Sequence, residues 1–414
     1  MSNIHRRRGS HSLTFYAWQR LKKNKLALLG LYLITASFLI AVFGYLIVPD
    51  STPDANDQKL ELSVKHPGFT VKELRIRKNQ VSNKKGFFSK MIFGRENDFK
   101  EAPFYDFEFN GNDIIYEEYT GRENNKGAKI KYNMVDVIYA VDFSKPFIDN
   151  VKEGFVEFYD IDSARQIKLK THEMKSQIIR EHIKTHVYLL GTDRVGRDML
   201  SRLIIGTRIS LAVGFISVIL SILIGVVMGT LSGYFRGWID NVIMWIINVV
   251  WSIPTLLLVI AVTLALGKGF WQVFIAVGVT MWVEVARVIR GQVLSLRENE
   301  FVEAGRALGF SNFRIIMGHV LPNIIGPIIV LSAANFANAI LIEAGLSFLG
   351  IGAQPPTASW GGMISAHRGY IIADAAYLAF LPGIAIMLMV LAFVLLGNGL
   401  RDAFDTKTVE EVAV

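Results

Sequence analysis

The stretch Leu26–Val48, LALLGLYLITASFLIAVFGYLIV, runs for 23 residues without a charge. As a helix rising 1.5 Å per residue it is about 34 Å long, enough to cross a hydrocarbon core of about 30 Å. Before it lie Arg6, Arg7, Arg8, Arg20, Lys22, Lys23 and Lys25, and no acidic residue. This asymmetry places the N-terminus in the cytoplasm. The run is longer than the roughly 7–15 apolar residues of a signal peptide and no Ala-x-Ala site follows, so it reads as a retained span.

Five further apolar runs follow, at about Ile209–Leu231, Ile239–Leu266, Phe270–Ile289, Ile324–Ala344 and Ala376–Leu396. Six crossings return the C-terminus to the cytoplasm. The loops agree: Arg290, Arg297, Arg306 and Arg314 lie between the fourth and fifth runs, and Arg236 lies in the other loop assigned to the inside. The expected organisation is a cytoplasmic tail at 1–25, a first span at 26–48, an extracytoplasmic block at 49–190 and a linker at 191–207. A five-helix core at 208–400 follows, with a cytoplasmic loop at 290–323, and a cytoplasmic tail at 401–414.

Composition supports a membrane protein. Charged residues make up 19% and hydrophobic ones 51%, with a mean hydropathy of +0.35, whereas a soluble chain carries about 25% charge. The net charge is +8, yet positions 50–190 hold 23 basic and 23 acidic residues. The excess positive charge therefore lies beside the spans, which argues for lipid rather than nucleic acid as its partner. There is no cysteine, which excludes disulfides and thiolate metal sites.

Within the spans, Gly225, Gly229 and Gly233 recur at intervals of four and line one helix face, permitting close helix approach. Pro254 and Pro382 are expected to kink their spans. Glu284 and Glu343 are intramembrane carboxylates and hence functional candidates. Glu284 is expected to pair with Arg287 three residues on; for Glu343 the pore and the outer interface stay open. Residues 69–170 read as a β-rich insertion. Phe104–Phe109 and Ile114–Tyr119 flank the turn Asn110-Gly111-Asn112 as a hairpin. Tyr132–Phe143 and Gly154–Lys170 read as further strands, and Met174–Leu189 as more helical. His182 and His186, four apart, suit one metal on a helix, but no third ligand is evident and an incidental role is the expectation.

The loop at 290–323 is the most informative stretch. Phe301–Gly309, FVEAGRALG, reads as a short amphipathic helix with Phe301, Ala304, Ala307 and Leu308 sharing a face and Glu303 and Arg306 on the polar side. Gly309 ends it in a left-handed conformation, and Leu321-Pro322 precedes the next span. The pattern Glu303-Ala304, Gly309, then Leu321-Pro322 resembles the signature loop of permeases of bacterial ATP-binding-cassette importers. Gly305 stands where that family usually has Ala. Further stretches, Leu190–Asp198, Gly345–Gly352 with Gln354-Pro355-Pro356, Ser359-Trp360-Gly361 and Leu396–Asp402, resemble the second, C-type permease of the peptide/nickel importers. The long outer insertion departs from that pattern.

The resemblance implies an all-α polytopic fold of six transmembrane helices, the type I importer permease fold; the residues themselves add the β-rich extracytoplasmic insertion between helices 1 and 2. It implies a translocation pathway for di- or oligopeptides shared with a paralogous permease. It also implies two cytoplasmic ATPase subunits that bind ATP and magnesium, and an extracytoplasmic substrate-binding protein. The loop residues Glu303, Ala304, Gly305, Gly309, Leu321 and Pro322 would couple to the ATPase. The sequence holds no Gly-x-x-x-x-Gly-Lys-Ser/Thr, Gly267-Lys268-Gly269 being only a turn, so the chain itself is not expected to bind nucleotide or act as an enzyme. No catalytic or metal-ligating set is predicted. The alternatives are an ion- or proton-coupled secondary carrier that uses the carboxylates directly, and a receptor or scaffold dominated by the outer block.

Overall fold

The computed structural model describes residues 13–82, 86–121, 127–267, 269–372 and 374–404. Most of the expected tails and the Lys268 position of the predicted turn lie outside these residues. In chain order the helices are α1 (Leu13–Leu21), α2 (Lys25–Ile47), α3 (Phe87–Phe93), α4 (Met134–Ile138), α5 (Thr171–Gln177), α6 (Met199–Phe235), α7 (Gly237–Trp251) and α8 (Thr255–Leu266). There follow α9 (Phe270–Leu296), α10 (Glu300–Ala307), α11 (Asn312–Ile315), α12 (Leu321–Asn323), α13 (Ile325–Phe348), α14 (Trp360–His367) and α15 (Tyr377–Phe404). The chain divides into two compact units. One comprises residues 1–41, 206–369 and 379–414, the other residues 42–205 and 370–378.

In the helical unit, small residues let backbones meet. A Cβ at Gly225 would fall 2.5 Å from Val285 Cβ, one at Gly229 2.5 Å from the Ala286 carbonyl and 2.9 Å from Ile289 Cβ, and one at Gly233 2.9 Å from Val293 Cβ. Val285, Ile289 and Val293 each lie 60 residues beyond their glycine, so α6 and α9 run parallel. Gly30 packs on Ala392 and Leu396 while Gly399 packs on Ala27, which makes α2 and α15 antiparallel. Gly326 meets Phe404 and Gly397 meets Ala333, so α13 and α15 are antiparallel as well.

Among the described residues, α2, α6, α9, α13 and α15 are long and apolar enough to cross a membrane. The third expected span is not one helix. It breaks at Ser252–Pro254, where α7 and α8 meet at 93°. Pro254 lacks a donor and adopts an extended ψ of 126°, so the kink expected there is a full break at which a new helix starts. Pro382 lies inside α15, which continues through it as one element. Residues 13–21, assigned to the tail, form α1, whose Ala17 and Leu21 are buried against Ala27 and Ala403.

Among its described residues the second unit contains eight strands: β1 (Phe69–Arg77), β2 (Phe99–Asn110), β3 (Asp113–Glu118), β4 (Lys129–Asn133), β5 (Ile148–Asn150), β6 (Phe155–Asp160), β7 (Arg165–Lys170) and β8 (Ile183–Tyr188). They form an antiparallel five-stranded sheet in the order β4-β3-β2-β1-β8 and a three-stranded sheet β5-β6-β7. Both sheets, α4 and α5 bury one core around Leu74, Phe104, Ile114, Met134, Phe158 and Met174. The expected hairpin forms, with Phe109 opposite Ile114 across a Gly111 turn at φ 60°.

Two segments differ from expectation. Residues 132–143 leave the sheet at Asn133, whose side chain accepts a hydrogen bond from Val135 N–H and caps α4. Residues 174–189 are helical only at first, then pair as β8 with the free edge of β1, more than a hundred residues away. The two histidines part as a result. His182 Nδ1 lies 2.7 Å from the Arg75 carbonyl, while His186 stacks on Tyr188 with ring centroids 4.3 Å apart.

Where His186, Glu73 and Glu101 converge, an internal cation already stands. Lys59 Nζ lies 3.0 Å from Glu73 and 2.8 Å from Glu101, with Glu73 2% and Lys59 6% exposed. Burial opposes the Lys59 charge, but the two carboxylates outweigh it and raise its pKa. Removing one partner of such a pair costs about 3–5 kcal/mol because the other stays buried and charged. Lys59→Met is therefore expected to lower the thermal unfolding midpoint of the detergent-solubilised protein sharply, and Glu73→Gln on that background to recover part of the loss. Gly229→Val forces α6 from α9 and is expected to cost about 1–3 kcal/mol in the same measurement.

Candidate functional site

The loop after α9 is built as a rigid bracket. Glu300 and Glu303 lie in the first turn of α10, where the helix dipole favours acidic side chains. At its other end Gly309 takes φ 75°, Phe310 N–H donates to the Gly305 carbonyl at 3.0 Å, and Gly309 N–H donates to the Arg306 carbonyl at 2.9 Å. This paired closure satisfies two otherwise orphaned carbonyls and stops the helix. Ser311 then caps α11, accepting from Arg314 N–H. A single π turn at Ile316–Val320 leads to Leu321 and Pro322 in α12.

Val302 and Gly305 face inward. Val302 joins a buried cluster with Tyr234, Val285, Ile289, Val293, Ile315, Val320 and Ile324, against which Leu321 packs. Tyr234 donates through its hydroxyl to Asn312 at 3.0 Å, and the Arg306 guanidinium lies 5.4 Å from its ring centre. The outward side carries Phe301, Glu303, Ala304, Arg306, Ala307 and Leu308, all exposed, as is Pro322. Leu308 is 72% and Phe313 73% exposed. The four apolar positions read from the sequence as one face thus point away from this chain's own core. Val302, which anchors the helix, escaped that reading, as did Phe313 and Met317, which extend the outer apolar surface. The alternation of Val302 and Gly305 with the exposed set is the signal that was available.

The bracket is tied to the bundle at its base. Asp240 at the start of α7 accepts two bonds from Arg290 near the end of α9, both at 2.7 Å. Arg236 pairs with Glu298. The glycine contact of α6 with α9 ends at this same place, with Gly233 against Val293.

A cavity of about 230 Å³ opens at the break between α7 and α8. Trp251, Thr280, Glu284, Asn338 and Leu341 line it. Glu284 is exposed and, among the described residues, does not pair with Arg287. That guanidinium lies 3.5 Å from the centre of the Trp251 ring and donates to Asn248 Oδ1 at 3.4 Å. Glu343 does not line this cavity. It is buried in α13, where Ser347 Oγ donates to it at 2.7 Å. There α14 packs closely, with a Cβ at Gly361 falling 2.6 Å from Ala344 Cα.

Known proteins match the chain in two blocks. The family model described as "N-terminal TM domain of oligopeptide transport permease C" matches residues 12–63. The model "Binding-protein-dependent transport system inner membrane component" matches residues 221–410 and so includes the bracket and the cavity. The β-strands fall between the two matches. The glutathione transport system permease protein GsiD of Pectobacterium atrosepticum is 43% identical over 218 residues, 53% of this chain and 72% of that protein. Its counterpart in Shigella sonnei is 44% identical over 217 residues, 52% of this chain and 71% of that protein. Among solved structures, a chain from the inward-facing MetNI methionine ABC transporter is matched at 20% identity with a TM-score of 0.41, covering 50% of this chain and 98% of that one. The chain belongs to the binding-protein-dependent inner-membrane component family, as a membrane-embedded permease subunit of the peptide and glutathione ABC importer group.

Proposed function

We propose that this permease forms half of a translocation pathway for di- and oligopeptides, with α10 passing the motion of separate ATPase subunits to the spans. The observation that carries the reading is the bracket at Glu300–Pro322. Its outward apolar side has no partner within the described chain, while its inward side is fused to the α6–α9 contact. A surface of this kind suits a groove on another protein. Glutathione, named for the relatives, is a tripeptide and falls within the same cargo class.

Helix directions support the six-crossing topology. Parallel α6 and α9 can each cross the bilayer only if the chain returns between them, so the bent pair α7–α8 counts as one crossing. With α2 and α13 each antiparallel to α15, the six crossings alternate. The basic N-terminus then lies in the cytoplasm of the bacterial inner membrane with the C-terminus and the loop 290–323, and the β-rich insertion lies outside. The expected complex contains a paralogous permease, two ATPases that bind and hydrolyse ATP with magnesium, and an external substrate-binding protein. No nucleotide-binding role is assigned to this chain.

Mild-detergent purification of the tagged chain from its native membrane is expected to bring the ATPase subunits with it; their absence contradicts the reading. Glu303→Arg reverses a charge on the exposed side of α10 and is expected to lower peptide uptake per ATP hydrolysed at least tenfold in proteoliposomes, and unchanged uptake counts against α10 as the coupling element. Gly305→Ala should do the opposite to the helix itself. The added methyl would stand 3.5 Å from Ile315 Cγ1, ordinary contact, and Ala is favoured over Gly in helices by about 1 kcal/mol. Slower hydrogen exchange across residues 300–307 with transport retained is the expected result.

A further inference from the structure

We propose that Glu284, with Thr280 and Asn338, forms a subsite in the permease that holds the ammonium group of a passing peptide. The proposal rests on the importer reading and names the chemistry of one station along its path.

Glu284 is the fifteenth of the 27 residues of α9, and so lies at the middle of a membrane-crossing helix. A carboxylate there is costly to desolvate and faces a partner or a water-filled cavity. The packing fixes which it is. Neighbouring Val285 faces Gly225 of α6, and Glu284, about 100° further round the helix, lines the cavity at the α7–α8 break. No ion pair reaches it among the described residues, and the nearby cation, Arg287, is committed to the face of Trp251. The Thr280 hydroxyl already donates to the Val277 carbonyl at 2.9 Å, so it presents lone pairs to the cavity. The exposed Asn338 adds an amide oxygen from α13.

The result is one negative charge and neutral polar groups, Thr255 among them, on a mostly apolar wall that includes Ile253, Leu258 and Leu341. A calcium or magnesium ion requires a shell of several oxygens, which one carboxylate does not supply. A primary ammonium on an aliphatic stem matches the wall and the charge together. The N-terminal residue of a peptide has this form, and so does a lysine side chain.

Trp251 lines the same cavity and reports its occupancy. The assembled, detergent-solubilised transporter without binding protein is titrated with tri-alanine, N-acetyl-tri-alanine and N-acetyl-tri-alanine bearing one lysine, following tryptophan fluorescence, with the W251F complex as background. The expected result is a Trp251-dependent response to tri-alanine and to the lysine peptide, at least tenfold weaker for the N-acetylated peptide without lysine. E284Q is expected to abolish the difference and E284D to retain part of it. Equal affinity for all three peptides, an unchanged preference in E284Q, or no Trp251-dependent response overturns the subsite. Loss of the assembled complex in both E284Q and E284D also overturns it, because Glu284 is then a contact to the second permease. ATP hydrolysis stimulated by the binding protein, measured on the wild-type complex, tests the importer reading separately.

Discussion

The helical unit depends on the contact in which Gly225, Gly229 and Gly233 of α6 admit Val285, Ile289 and Val293 of α9. Lipid tails are as apolar as leucine, so burial gives helices in a bilayer little reason to associate; close packing through small residues supplies the attraction instead. The same three α9 side chains belong to the cluster that holds Val302 and Ile315. One row of atoms is therefore shared between the bilayer core and the bracket beyond it. Val302 of α10 thus packs on the side chains that α9 presents to α6. The parallel direction of α6 and α9 is what the proposed six-crossing topology rests on, and the cavity lies at the bend of the α7–α8 pair between them.

The sequence revealed much of this and missed parts for definable reasons. Spans announce themselves because lipid demands long uncharged runs, and the α2 run is matched by its helix to within a residue at each end. The hairpin at Asn110–Asp113 was legible because its turn chemistry is local. What failed was non-local. The β8 strand forms because β1 has an edge to fill, and nothing within residues 183–188 states that. Asn133 acts as a helix cap in a stretch whose valines and isoleucines suggest a strand. Hydropathy counted residues 239–266 as one run because it is blind to direction; Pro254 marked the place of the bend, but nothing local stated its size of 93°. In the candidate site, the exposed apolar set on α10 was legible from helical spacing, but Val302 was not, since its role is fixed by the cluster it enters. Glu284 and Arg287 have ideal spacing for a pair, yet the nearby Trp251 ring takes the guanidinium instead.

The β-rich unit has its own core and its own charge balance. Its 141 residues between Asp50 and Leu190 carry equal numbers of acidic and basic side chains, and Lys59 lies buried among carboxylates contributed by two strands. The first of these, Glu73, is on β1, which is also the strand completed by β8. The segment leading back to α6 is closed equally tightly. Gly196 at φ 77° leaves no room for a side chain against the Lys59 carbonyl, and Asp193 gathers the Val195 and Arg197 amides. The insertion is thus a folded unit with its own core.

The central claim is that the exposed side of α10 is covered by the ATPase subunits. The chain has no cysteine, so Leu308→Cys gives it a single thiol at the tip of that surface. The most direct measurement is the rate of maleimide labelling of this thiol in inside-out membrane vesicles, before and after stripped ATPase subunits are added back. The account predicts labelling at least tenfold slower once they are bound. An unchanged rate, with the subunits shown to be present and hydrolysing ATP, would contradict it.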